Sequence, residues 1–324
     1  MRRLWAAAAL LLVAAVAPGW QWPQDTGFDP PPVPADNAMS AAKVELGRRL
    51  FYDADLSSDG TLACSSCHEQ RHGFADSVAT RPGVGDHAGK RNAPGLANVA
   101  WLPRLTYADP GATSLEIQAL TPLLGENPVE MGMKGREAEL ARRLKADACY
   151  RRSFARAFPD SRITVPNVVA ALAAFQRTMI SSDAPYDRFR RGDAAALTGP
   201  QREGERLFRT SGCSSCHAGP HLTDAAYHRL GDPAPSDAGL VEQTGLEEDR
   251  GRFRTPSLRN VAITGPWWHD GTATSLEDAI RRHPVSLADR DIAALVAFLH
   301  GLTDERFRTD PRLARPDTAC GKRL

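Results

Sequence analysis

The sequence predicts a mainly α protein of two like-built domains with long loops, and three observations carry that prediction. A set of short segments occurs twice along the chain in the same order. Apolar residues recur at helical spacing, and no run of alternating residues is long enough to demand a sheet. Gly and Pro are plentiful, 26 and 24 of 324 residues, as long shaped loops require.

The chain opens with Arg2 and Arg3 followed by an apolar run, Leu4 to Ala17, too short for a comfortable membrane span. Residues 1–17 therefore read as an export signal, with an uncleaved anchor as the alternative. Residues 18–36, rich in Pro and Asp, read as an extended spacer. The balance of 40 Lys+Arg against 39 Asp+Glu gives no sign of a nucleic-acid surface.

The repeat organises the rest of the chain. Gly47-Arg48-Arg49-Leu50-Phe51 in the first half matches Gly204-Glu205-Arg206-Leu207-Phe208 in the second. Arg91-Asn92-Ala93-Pro94 through Val99 matches Arg254-Thr255-Pro256-Ser257-Leu258-Arg259-Asn260-Val261. Ser114-Leu115-Glu116 lies 20 residues beyond Pro94, and Ser275-Leu276-Glu277 lies 19 beyond Pro256. The expected domains are 37–191 and 192–316, with the boundary in the Gly192–Pro200 stretch. Val44, Leu46, Leu50 and Phe51 form one helix face, although Gly47 weakens that helix unless another backbone packs against it. Ile292, Leu295, Val296 and Leu299 form another.

Each half carries Cys-x-x-Cys-His, at Cys64, Cys67, His68 and at Cys213, Cys216, His217. Two cysteines can form thioethers to a haem while the adjacent His binds its iron. Two c-type haems are the expected cofactors. A zinc site built from the four cysteines is the alternative, but zinc ribbons keep their Cys pairs closer and need no His after each. Cys149 and Cys320 remain; pairing and free thiols are both open.

With these motifs in place the chain resembles the bacterial di-haem cytochrome c peroxidase/MauG family from about Lys43 to Leu302. The resemblance rests on Glu45 to Phe51, both haem motifs, Arg91-Asn92-Ala93-Pro94, Gln118-Ala119-Leu120, Asn127-Pro128-Val129-Glu130-Met131-Gly132, Thr255 to Val261, and His269-Asp270-Gly271. Leu105-Thr106-Tyr107-Ala108-Asp109-Pro110 is most similar to a MauG-like branch associated with methanobactin gene clusters (MbnH-like), where tryptophan oxidation on a partner protein is known.

The resemblance implies two cytochrome c-like domains, each holding one haem. It makes the N-terminal haem peroxide-reactive, with Glu130 as distal acid/base and Gln118 beside it; the bland readings are a solvated loop carboxylate and a surface amide. Counting on from Ser275, the second axial ligand of the C-terminal haem falls on His283, with His221 and His228 as rivals. His87 occupies the loop where some peroxidases place a displaceable ligand, and reads more readily as a loop histidine. His72 and His300 read as structural, Met131 and Met133 as packing residues. Asn92, Thr264 and Pro266 match the positions that hold calcium between the haems, an ion suited to oxygen ligands. Tyr107 stands where the family commonly has an inter-haem Trp, and its oxidation requires loss of a proton. Trp101, Trp267 and Trp268 lie near in sequence.

The expected activity is reduction of hydrogen peroxide with electrons from a small donor protein, a cytochrome c or a cupredoxin. The alternatives are oxidation of an aromatic residue on a partner protein and a plain electron carrier with both irons fully ligated. A second copy of the chain, as a homodimer, is a further candidate partner, and the export signal implies a periplasmic location.

Overall fold

The computed structural model describes residues 20–231, 237–319 and 322–323. The expected signal and Cys320 lie outside these residues. Among the described residues no helix is long and apolar enough to cross a membrane.

The first half contains α1 (Ala41–Phe51), α2 (Cys64–Cys67), α3 (Leu115–Leu124), α4 (Glu137–Ala146), α5 (Ala148–Ala157) and α6 (Val165–Gln176). The second contains α7 (Pro185–Arg190), α8 (Gly199–Thr210), α9 (Val241–Thr244), α10 (Leu276–Arg281), α11 (Asp289–His300) and α12 (Glu305–Thr309). Strands are few and short. An antiparallel pair, β1 (Tyr227–Arg229) and β2 (Arg252–Arg254), sets Tyr227 opposite Arg254, and β3 (Thr318–Ala319) pairs with β4 (Lys322–Arg323).

The repeated segments have local physical causes. Ser114 and Ser275 are N-caps: their hydroxyls accept from Ile117 N at 3.2 Å and Asp278 N at 3.0 Å, opening α3 and α10. Gly47 and Gly204 mark helix crossings. A Cβ on Gly47 would stand 1.9 Å from Ala171 O of α6, and one on Gly204 would stand 1.9 Å from Ala294 O of α11. Only glycine lets these backbones approach so closely. The glycine that weakened the helix prediction is thus the contact that pairs α1 with α6, and its repeat pairs α8 with α11.

Two apolar cores result. The first gathers Leu46, Leu50, Phe51, Phe74, Leu172 and Phe175; the second gathers Leu207, Phe208, Val261, Leu295 and Phe298. The end of the chain crosses back, because Phe307 and Leu313 pack in the first core. Residues 20–36 lie outside both cores. There Phe28 meets Trp101 and His221 with ring centroids 5.6 and 5.0 Å apart, and Trp101 Nε1 donates to Asp29 O at 3.1 Å. Cys149 is disulfide-bonded.

Candidate active site

Both Cys-x-x-Cys-His segments line one continuous cavity of about 780 Å³. Protein interiors pack to crystal density, so a void this large inside a core is built to be filled. Each motif folds locally in the same way. His68 N bonds Cys64 O at 3.0 Å and His217 N bonds Cys213 O at 3.0 Å, curling both motifs into a turn. Phe74 (φ 61°) and Leu222 (φ 54°) adopt left-handed backbone. Their carbonyls meet His68 Nδ1 at 2.7 Å and His217 Nδ1 at 3.2 Å. A ring nitrogen that donates to a carbonyl fixes the tautomer and leaves the other, Nε2, available to bind a metal. Desolvation pushes His217 down to about 4, with the neighbouring His283 adding to the fall, and burial lowers His68. Burial thus disfavours the charged form of both imidazoles, the direction that metal binding would need.

Desolvation pushes the thiols of Cys64 and Cys67 up to about 12, with no cation to oppose it at Cys64. Buried neutral thiols suit thioether attachment better than a thiolate metal site. Among the described residues the one group whose donor atoms converge well enough to hold a bare ion is Cys216, Asp224 and His228. The four cysteines do not converge, so the zinc alternative fails.

The two ends of the cavity differ. His283 follows α10, its Nδ1 2.9 Å from Ala279 O, and its ring faces that of His217 with centroids 6.4 Å apart. Two metal–imidazole bonds of about 2 Å, plus the offset of each nitrogen from its ring centre, span roughly that separation. The rivals are engaged elsewhere. His221 stacks on Trp101 with centroids 5.0 Å apart, and His228 Nε2 holds Asp224 at 2.7 Å. At the first end, the ring that His68 contacts is Phe51, at 6.4 Å. Glu130 and Gln118 line the cavity there. Glu130 raises the thiols of both Cys64 and Cys67, which places its carboxylate in their field. Its own pKa is raised by burial. Gly83 holds it in position: a Cβ there would sit 2.0 Å from Val129 O, and Val84 N donates to Glu130 O at 2.8 Å.

His87 is exposed and outside the cavity lining, as a loop histidine is. His300 is exposed, and His72 Nδ1 sits 3.3 Å from Ile263 O. Met131 and Met133 are buried in the first core. Tyr107, Asn92, Thr264 and Pro266 also line the cavity. Burial raises the Tyr107 phenol. Asn92 Nδ2 donates to Val78 O and Ala79 O at 3.0 and 3.1 Å, which leaves Oδ1 open. Among the described residues no donor reaches the carbonyls of Thr264 or Pro266 either. Trp267 Nε1 donates to Val261 O at 2.8 Å, and Trp268 packs edge-on to His283 with centroids 5.5 Å apart. Arg254, which the sequence marks only as the start of a repeated segment and gives no role, also lines the cavity. Its signal is burial without a carboxylate partner, a property of the fold alone.

Comparison with known proteins fits this geometry. Residues 41–195 match the family described as di-haem cytochrome c peroxidase, and residues 201–303 match cytochrome c. The chain is 33% identical over 286 residues to the cytochrome c551 peroxidase of Nitrosomonas europaea, covering 85% of this chain and 84% of that one. It is 34% identical to the methylamine utilization protein MauG of Methylorubrum extorquens, covering 85% and 82%. It spans 60% of the length of the Escherichia coli cytochrome c peroxidase Ccp, at 34% identity. Among solved structures, a MauG-like protein associated with microbial copper homeostasis superposes with a TM-score of 0.85 at 37% identity, covering 93% of this chain and 99% of that one.

Proposed function

Because this chain belongs to the di-haem cytochrome c peroxidase/MauG family, we propose that it reduces hydrogen peroxide at the Cys64/Cys67/His68 end and takes in electrons through the Cys213/Cys216/His217 end. The observation that carries this reading is the difference between the two ends. An imidazole, His283, faces His217, whereas a buried carboxyl and an amide serve the other end.

A haem held by Cys64, Cys67 and His68 would supply an iron at which peroxide can bind and the electrons for O–O cleavage. Glu130 moves the proton. Its carboxylate would take a proton from one peroxide oxygen and return it to the other, which leaves as water when the O–O bond breaks, while the remaining oxygen becomes a second water with two protons and the two electrons that the donor supplies. The Gln118 amide orients the substrate. His283 and His217 would together hold the second haem, which suits that end to relaying electrons. Tyr107, which also lines the cavity, would act as a redox-active phenol, and its oxidation requires a proton acceptor. Asn92 Oδ1 with the Thr264 and Pro266 carbonyls suits calcium, a hard cation. The source of electrons is a small exported donor, a cytochrome c or a cupredoxin.

The likeness to the MauG-like protein of copper homeostasis favours one second reading, in which an aromatic residue of a partner protein is the electron source. Absorption and EPR spectra before and after peroxide test the main proposal. The resting protein should show one high-spin and one low-spin haem, with the high-spin signal alone consumed first. His283→Gly should add a second high-spin signal. A resting protein with two low-spin haems inert to peroxide would make it a plain carrier. Turnover with a reduced cytochrome, set against mass changes on a partner, separates the two enzyme readings.

A further inference from the structure

Arg254 ends β2, is 3% exposed, and has no carboxylate within ion-pair distance among the described residues. Its Nε donates to Thr106 O at 3.0 Å and its Nη1 to Thr255 O at 3.1 Å; no acceptor among the described residues meets Nη2. Burial pushes this guanidinium down, with only the phenols of Tyr107 and Tyr227 opposing. The other deeply buried arginines are matched. Arg177 pairs with Glu116 at 2.8 Å and Arg259 with Asp187 at 2.9 Å. A buried charge without a partner is strongly unfavourable, so such groups are paired in native proteins.

The anion that matches Arg254 belongs to whatever fills the cavity this side chain lines. A second donor points the same way. His269 Nε2 is buried without a hydrogen-bond partner, in a side chain 10% exposed that also lines the cavity. Its ring is held face to face with Phe253, the residue before Arg254, with centroids 3.6 Å apart. Among the described residues Arg254 Nη2 therefore has no acceptor and His269 Nε2 no hydrogen-bond partner, with Asp237 Oδ2 3.9 Å from the latter, and both groups border one void. We propose that Arg254 is a carboxylate-binding residue of this cavity, its guanidinium holding a propionate of one of the two haems. The assignment rests on the two-haem reading above. The fork of a guanidinium fits a carboxylate bidentately, and its charge favours the ferrous over the ferric iron of the haem it binds.

The test uses the haem-loaded protein and the variants Arg254→Gln and Arg254→Lys, read by mass, spectroelectrochemistry and resonance Raman. Arg254→Gln should keep two attached haems and shift the reduction equilibrium of one of them at least tenfold toward ferric, about 59 mV for a one-electron couple. A shift confined to the low-spin haem places the carboxylate on the His217 side, and one confined to the high-spin haem places it on the His68 side. Arg254→Lys should hold the potential closer to the original while moving the propionate-bending band, since an ammonium replaces the fork. Two attached haems with both potentials unshifted in Arg254→Gln would overturn the assignment. An unchanged band in Arg254→Lys overturns it even where the Gln variant fails to fold. Fewer than two haems on the unaltered protein would instead remove the two-haem reading beneath it.

Discussion

Glu130 lies in the cavity with no cation among the causes that act on it, and burial alone raises its pKa above the ordinary 4.5. This fixes the sign of the pH effect. The active form is the carboxylate, and a raised pKa means that form is lost, as pH falls, at a higher pH than for a free carboxyl. The single-turnover rate with peroxide should show an acid limb displaced upward from the ordinary carboxyl range. Glu130→Gln should slow that rate roughly 10²–10⁴-fold and abolish the limb while both haems stay attached. An acid limb that survives the substitution assigns the titration to another group. The residues that anchor the site differ in how far sequence exposes them. Cys64, Cys67 and His68 are legible because attachment chemistry needs them within five positions. Glu130 lies more than sixty residues further on, so only the resemblance joined it to them. Arg254 was legible as part of the repeat but not as a site residue, since lacking a partner is a matter of surroundings.

At the scale of elements, the fold turns on two helix crossings that the repeat writes as Gly47 and Gly204. By intrinsic propensity, Ala at either position would favour the helix by about 1 kcal/mol. The structure reverses that expectation. The added Cβ would meet a backbone carbonyl at 1.9 Å, and neither Ala171 O nor Ala294 O can move without displacing its helix. Gly47→Ala and Gly204→Ala should each destabilise by about 1–3 kcal/mol or more, the range of overpacked cores. Thermal unfolding of the haem-loaded protein checks this, and an unchanged or raised Tm in either variant would count against the crossing. Two helices were legible from spacing, whereas the repeated Ser-Leu-Glu was read only as a repeat and the structure shows Ser114 and Ser275 to be caps. The partner of each helix was not, because a glycine in one segment says nothing about which backbone approaches it. The β1–β2 pair was likewise beyond reach, at three residues a strand.

For the whole molecule, the repeat announces two halves without saying how they are joined. The join uses the repeat itself. Asn98 and Asn260, matching positions with φ 59° and 60°, both reach Ser181 in the connection between the halves. Asn98 Nδ2 donates to Ser181 O at 2.9 Å and its Oδ1 accepts from Ser181 N at 2.8 Å. Asn260 Nδ2 donates to Ser181 Oγ at 3.0 Å and its Oδ1 accepts from Asp304 N at 2.8 Å, at the cap of α12. From that cap the chain returns Phe307 and Leu313 to the first core. Asn260→Ala would leave a buried amide and hydroxyl without these partners and force alanine into left-handed backbone. The expected cost is roughly 3 kcal/mol, a large part of ordinary domain stability. Asn98→Ala should cost a comparable amount. Since both side chains act on one residue, the double variant should lose clearly less than the sum of the two. The measurement is denaturant unfolding of the four proteins, followed at the bands of both haems. Strict additivity would mean that Ser181 does not couple the halves. A shared shortfall seen at both haems would mean that one seam holds the two domains in register across the cavity.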